Sequence, residues 1–232
     1  MRILAFETSA KAGCVALLEN GKLLGESYQN TGLTHSQTVM TMAQELLGNC
    51  GYTPKDVEAV AVAAGPGSFT GVRIGVAAAK GFAWGGDIPC YGVSTLEAMA
   101  EGLGAWDGLV VCTMDARRNQ VYNAVFEAKK GRLTRRCEDR AISLEELAEE
   151  LKNVEKPIFL VGDGSLLCYN TLKEAVPGLV LPPEHRMHQR AAGVALVAQR
   201  MIEAGSPGDA GALQPNYLRL SQAERERLAR EK

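Results

Sequence analysis

Three histidines in 232 residues are too few for rich metal chemistry, and the six cysteines (Cys14, Cys50, Cys90, Cys112, Cys137, Cys168) never fall in a C-x-x-C pair. Zinc sites and disulfide frameworks need tighter grouping, so free thiols in a reducing cytoplasm are the expectation. No run of about 18 apolar residues occurs, so no membrane-spanning helix is expected. The opening Met1-Arg2-Ile3-Leu4-Ala5-Phe6-Glu7 reaches a carboxylate too soon to hold the apolar stretch of a secretory signal. An excess of charge is missing as well: 25 Lys and Arg stand against 27 Asp and Glu, a net of -2. That balance argues against a chain that binds nucleic acid alone, and an RNA-related role would leave the RNA to another subunit.

What is present is ordinary globular composition, 46% hydrophobic and 22% charged, long enough for one large domain or two small ones. Met1–Phe6 reads as a buried strand ending in the polar turn Glu7-Thr8-Ser9-Ala10-Lys11. Cys14–Leu18 and Lys22–Ser27 flank Asn20-Gly21, the two-residue signal of a type I′ hairpin. A helix is expected from Thr34, where Thr34-His35-Ser36-Gln37 has capping-box spacing, and Val39, Met42, Ala43, Leu46 and Leu47 give it an apolar stripe. Ala59–Ala64 is a wholly apolar strand of the buried parallel kind. It runs into Gly65-Pro66-Gly67-Ser68-Phe69-Thr70-Gly71 and a second helix to about Trp84. A strand over Ile88–Gly92 and a helix over Thr95–Ala100 follow.

The second half repeats the order. Leu109–Met114 ends in Asp115-Ala116-Arg117-Arg118, and a second hairpin turns at Lys130-Gly131. A capping box opens a helix at Ser143-Leu144-Glu145-Glu146, and Pro157–Val161 runs into Gly162-Asp163-Gly164-Ser165, an echo of Gly65-Pro66-Gly67-Ser68. The pattern predicts a duplicated α/β fold with a shorter, degenerate second copy. The boundary is placed at 104/105, giving units 1–104 and 105–232. A further helix over 191–204, expected to pack back on the first unit, stops at Gly205-Ser206-Pro207-Gly208. Ser221–Lys232 reads as a charged helix without an apolar face.

Candidate chemistry is sparse. The glycines of Gly65–Gly71 lead into a helix N-terminus, where free N–H groups and the Ser68 and Thr70 hydroxyls could seat an anion; an ordinary strand-to-helix turn is the other reading. The segment fits neither the Walker pattern nor the dinucleotide fingerprint. Gly71, Gly75, Ala78, Ala79 and Phe82 recur three or four apart, and glycine inside a helix costs roughly 1 kcal/mol against alanine. Either the helix lies tightly on its own sheet or it meets a partner helix, and the sequence leaves both open. Glu7 and Asp115 are placed like a paired acidic site, but they could equally be turn acids accepting local backbone N–H groups. His185 and His188, i and i+3, follow Pro182-Pro183 and read as solvated loop histidines.

The segment Gly65-Pro66-Gly67-Ser68-Phe69-Thr70-Gly71-Val72-Arg73-Ile74-Gly75, with Glu7-Thr8-Ser9, Leu33-Thr34-His35-Ser36-Gln37 and Pro215-Asn216-Tyr217-Leu218-Arg219, resembles the TsaB family, and the resemblance spans the chain. It implies two related α/β subdomains of the actin/hexokinase/Hsp70-like (ribonuclease H-like) type. It further implies a non-catalytic subunit of the machinery that makes threonylcarbamoyladenosine in tRNA, paired with the catalytic TsaD and helped by the ATPase TsaE. TsaD-like chains carry a metal-binding His-x-x-x-His where this one has Gly92–Ala100 without histidine. On this resemblance ATP, threonylcarbamoyl-adenylate and metal belong to TsaD and TsaE, tRNA is met only through the complex, and this chain has no catalytic or metal residues. The TsaD-binding surface is expected on the helices Thr34–Cys50 and Gly71–Trp84, through His35, Val39, Met42, Ala43, Leu46, Gly71, Ile74, Gly75, Ala78 and Phe82. The same helices would make a homodimer of the isolated chain. Thr8, Ser9, Gly65, Gly67, Ser68 and Thr70 would be a vestigial nucleotide or anion seat. The alternatives are an ATPase or sugar-kinase-like enzyme, or an M22-type peptidase of the Gcp-like group.

Overall fold

The computed structural model describes residues 1–219; the helix expected over Ser221–Lys232 lies outside the described residues. Each half of the chain builds one sheet. β1 (Arg2–Glu7), β2 (Gly13–Glu19), β3 (Lys22–Gln29), β4 (Ala59–Gly65) and β5 (Cys90–Ser94) form the first, in the order β3-β2-β1-β4-β5. β6 (Gly108–Asp115), β7 (Gln120–Lys129), β8 (Arg132–Arg135), β10 (Ile158–Val161) and β11 (Leu179–Val180) form the second, in the order β11-β10-β6-β7-β8, with β9 (Arg140–Ser143) paired to β7. Replacing β1, β2, β3, β4 and β5 by β6, β7, β8, β10 and β11 turns one order into the other, so the duplication is one of topology. In each sheet the first three strands run antiparallel and the later two join in parallel. The short β9 and β11 had no periodic signal in the sequence.

Both hairpins turn where the dipeptides placed them. Asn20 and Gly21 have φ of 49° and 81°, and Lys130 and Gly131 have 52° and 76°, the left-handed pair that a type I′ turn requires. The helices are α1 (His35–Asn49), α2 (Phe69–Gly86), α3 (Thr95–Glu101), α4 (Leu144–Leu151), α5 (Ser165–Leu172) and α6 (Ala191–Glu203). At Ser143 the capping box forms: Ser143 Oγ accepts from Glu146 N–H at 3.1 Å, and Glu146 Oε2 accepts from Ser143 N–H at 3.1 Å. The box expected at Thr34 does not form. Thr34 makes no side-chain cap, and the first turn of α1 closes on the backbone alone, Gln37 N–H to Thr34 carbonyl at 2.9 Å.

Strand alternation sorts the first sheet into a bulky face and a small face. Leu4, Phe6, Val15, Leu17, Val60 and Val62 point to α1 and α2. Ala5, Ala16, Ala59, Ala61 and Ala63, with Ile3, point the other way and are covered by Ala191, Val194, Ala195 and Ala198 of α6. Small residues on both sides let that helix lie close. The helices that end the two repeats are thereby exchanged: α6, from the second half, seals the first sheet, while Leu96, Met99, Ala100 and Leu103, in and just after α3 of the first half, pack on Val110, Cys112, Ala124 and Phe126 of the second sheet. The two helices touch where an added Cβ on Gly193 would come within 2.0 Å of the Ala98 carbonyl oxygen. Glu26 fixes the entry to α6, accepting from Arg190 Nε at 3.0 Å and from Ala192 N–H at 3.0 Å. Burial pushes its carboxyl up, but these bonds outweigh it and the net shift is downward.

Candidate functional site

The C-terminal ends of β1, β4, β6 and β10 point into one crevice between the lobes, the usual ligand position of open parallel sheets. Its walls are the four turns the sequence singled out. In the first lobe Ser68 N–H bonds the Ser9 carbonyl at 2.6 Å, and in the second Gly164 N–H bonds the Thr113 carbonyl at 3.1 Å. Between them lies a cavity of about 410 Å³ lined by Ser9, Lys11 and Ser68 on one side and Asp115, Arg117 and Asp163 on the other. Arg117, Arg118 and Asn119 are three successive residues in the left-handed region, φ 62°, 58° and 55°. Each such non-glycine conformation costs about 1–2 kcal/mol. Their turn places the exposed Arg117 in the crevice wall.

Glu7 and Asp115 are turn acids of the same construction. Glu7 Oε1 accepts from Ser9 N–H at 2.6 Å and Asp115 Oδ1 from Arg117 N–H at 2.7 Å. Their surroundings differ. Asp115 is exposed, whereas Glu7 is fully buried and its other oxygen, Oε2, has no protein partner. Burial drives the Glu7 carboxyl up to about 7, against the lowering effect of the Ser9 hydrogen bonds, with the Asp163 charge adding to the rise.

The residues expected to seat an anion divide. Thr8 is committed internally, its Oγ1 donating to the Gly71 carbonyl at 2.8 Å. Gly65 lies under the chain's own tail, where an added Cβ would stand 2.5 Å from the Asn216 carbonyl oxygen. Ser68 Oγ caps α2, accepting from Gly71 N–H at 3.3 Å. Ser9, Gly67 and Ser68 line the cavity, Ser9 with a buried hydroxyl that has no protein partner, and Thr70 is exposed outside it.

Most of the expected partner-binding residues face inward, which corrects that surface. Val39, Met42, Ala43 and Leu46 are 1–7% exposed and form the core against the bulky face of the first sheet. Added Cβ atoms on Gly71 and Gly75 would come within 2.1 Å of the Thr8 carbonyl oxygen and 2.3 Å of Thr8 Oγ1, so both glycines serve the close approach of α2 to the end of β1. His35 turns onto the neighbouring turn, its Nε2 2.7 Å from the Ala10 carbonyl. Ile74, Ala78 and Phe82 are half-buried at the core's margin. The outward faces present other residues: Met40 of α1 and Trp84 of α2, 44% and 78% exposed, with Ala77, Gly81 and Gly85 of α2 also exposed. Nothing stands within 4 Å of a Cβ built on Gly81 or Gly85. Trp84 was legible as an exposed aromatic only once the helix's inner face was known.

Among the described residues no three His, Cys, Asp or Glu side chains come together as metal ligands, and none of the helices is long and apolar enough to cross a membrane. His188 faces Glu184 at 3.4 Å.

The family model of TsaD, tRNA N6-adenosine threonylcarbamoyltransferase, matches residues 29–227. The tRNA threonylcarbamoyladenosine biosynthesis protein TsaB of Bacillus subtilis is 34% identical over 225 residues, 97% of this chain and 96% of that protein. Its namesake in Escherichia coli is 33% identical over 94% of this chain and 95% of that one. Among solved structures, YeaZ from Pseudomonas aeruginosa superposes with a TM-score of 0.77 at 25% identity, covering 94% of this chain and 99% of that chain. The two lobes have the actin/hexokinase-like α/β architecture. A TsaD model that matches most of the chain and a TsaB relative that matches nearly all of it together mark a TsaB that is related to TsaD. The chain belongs to the TsaB family of tRNA threonylcarbamoyladenosine biosynthesis proteins.

Proposed function

We propose that this protein is a non-catalytic subunit of the apparatus that installs threonylcarbamoyladenosine in tRNA, and that it pairs with TsaD through the outward faces of α1 and α2. The observation that carries the pairing is Trp84, 78% exposed beside the open Gly81 and Gly85. An exposed indole flanked by glycines gives a second helix both an apolar anchor and room for close backbone approach. A non-catalytic role is supported by the lack of histidine in Gly92–Ala100, where a TsaD-like chain would bind metal. ATP, threonylcarbamoyl-adenylate and metal then belong to TsaD and TsaE, and the net charge of -2 fits a subunit that meets tRNA only within the assembly. In isolation the same face would join two copies, and the setting is cytoplasmic.

Trp84→Glu and Gly81→Leu test the reading together. Binding to the cognate TsaD, measured by calorimetry, should weaken by more than about tenfold for each, with melting temperatures kept near wild type. Unchanged affinity in both variants overturns the proposed face. Measurable ATP hydrolysis or proteolysis by the isolated chain overturns the non-catalytic assignment.

A further inference from the structure

We propose that Pro207–Arg219 is a releasable latch, which closes the crevice between the lobes and shields the open edge of the first sheet. The segment has no helix or strand, and each of its residues is half-buried or exposed. It is nonetheless pinned at separate points along its length. Gly208 lies over the Tyr91 ring, 2.6 Å from a Cβ built on it. Lys80 Nζ donates to the Gly211 and Leu213 carbonyls at 3.2 and 3.1 Å. Leu213 sits on Gly92, its Cδ1 2.5 Å from where a Cβ would be. Asn216 N–H donates to the Ala64 carbonyl at 2.6 Å, and the Tyr217 ring stacks on Phe69 with centroids 4.6 Å apart. Arg219 Nη1 then reaches the Ala116 carbonyl at 2.7 Å.

Two consequences of this path support a latch over a mere tail. β5 is the outer strand of its sheet, and among the described residues no strand pairs with its free side. Such an edge recruits other chains unless something covers it. The segment covers it without pairing: Leu213 closes on Gly92, and a cavity of about 530 Å³ remains between Cys90–Ser94 and the chain around Pro207, Asp209, Ala212 and Gln214. Its last four residues, Asn216–Arg219, also form one wall of the crevice cavity. The anchors lie in both lobes, Ala64, Phe69, Lys80 and Gly92 in the first and Ala116 in the second. A segment held by single hydrogen bonds, one ring stack and one leucine is drawn from the low-stability end of a structure and opens before its lobes unfold.

Cys90 reports the opening. It sits at the margin of the bulky-face core, lines the cavity beneath the latch and is 2% exposed, whereas Cys14, Cys112 and Cys168 line no part of that cavity and are 0% exposed. Asn216→Pro removes the donor to Ala64, Tyr217→Ala removes the stack, and Lys80→Met removes the bonds to Gly211 and Leu213 from the body side. Labelling of the full chain with N-ethylmaleimide, followed by peptide mass spectrometry, should modify Cys90 at least about tenfold faster in the Asn216→Pro/Tyr217→Ala double variant and in Lys80→Met than in wild type. Cys14, Cys112 and Cys168 should keep their wild-type protection. Unchanged Cys90 labelling in both variants overturns the latch. A parallel rise of all four cysteines overturns it too, since the segment would then open only with the fold.

Discussion

The two lobes repeat one topology but fill it differently, and the contrast is sharpest at the strand ends. Glu7 and Asp115 end equivalent strands and accept equivalent N–H groups, yet one carboxyl is buried with an unpartnered oxygen and the other stands in water. The helices that follow the glycine turns differ in the same sense. Counting from Ser68 and Ser165, Gly71 and Gly75 of α2 correspond to Cys168 and Leu172 of α5, all buried. Glycine lets α2 come against Thr8, whereas the equivalent positions of α5 carry the buried side chains of Cys168 and Leu172. A duplicated fold therefore fixes where a turn, strand or helix goes, and side-chain volume decides how closely it approaches.

The largest expected effect comes from undoing the close approach in the first lobe. Gly75→Leu must push a side chain into Thr8 and Val62, so thermal or urea unfolding should register a loss of about 3 kcal/mol or more, despite a helix-propensity gain near 1 kcal/mol. A neutral or stabilised variant would show that α2 has room on that side. Next comes the buried acid. With its folded pKa about 7, above the usual carboxylate value, Glu7 binds its proton more tightly in the native state, so stability falls as pH rises from about 4.5 to about 7. Glu7→Gln should remove that slope and be more stable than wild type at pH 8 by on the order of 3 kcal/mol, the gain vanishing below pH 4.5. Parallel pH profiles for the two proteins would contradict the burial argument. Gly81→Ala is the counterpart of Gly75 on the solvent side of α2, where nothing opposes a Cβ. It should stabilise the chain by about 0.5–1 kcal/mol in the same unfolding assay. Smallest is Asp115→Asn, which keeps an acceptor for the Arg117 N–H at an exposed turn and should shift stability by under about 0.5 kcal/mol. A large effect there would erase the distinction between the two turn acids.

The duplication, both hairpins and the inward stripe of α1 were legible in the sequence because each rests on local chemistry: a left-handed dipeptide, a run of valines and alanines, a period of 3.6. The two readings of the turn acids were legible as well, and the structure supplies the backbone N–H groups that favour one of them. The inner face of α2 was not legible. Glycine and alanine carry too little apolar weight to mark a face, so only the position of Thr8 reveals that Gly71 and Gly75 point inward while Gly81 and Gly85 point out. His35, which the sequence places in the first turn of a helix with no sign of a distant partner, reaches across to Ala10, a contact between residues 25 apart in the chain. The path of Pro207–Arg219 left no periodic trace either, since its anchors are single residues at irregular spacing.

The exchange of α3 and α6 between the lobes also sets an order of events during synthesis. The first sheet is complete once Ser94 has been made, but the residues that cover its small face, Ala191–Ala198, come about 100 residues later. At roughly 5–20 residues per second, that face waits on the order of 5–20 s on the ribosome for its lid. Ala5, Ala16, Ala59, Ala61 and Ala63 make it the less adhesive face of this sheet, because each methyl removes little area from water when a stray chain lands on it. The bulky face, Leu4, Phe6, Leu17 and Val62, is covered at once by α1 and α2, which lie between the strands in the chain. The distribution of small and large side chains across one sheet thus follows the clock of translation as well as the geometry of packing.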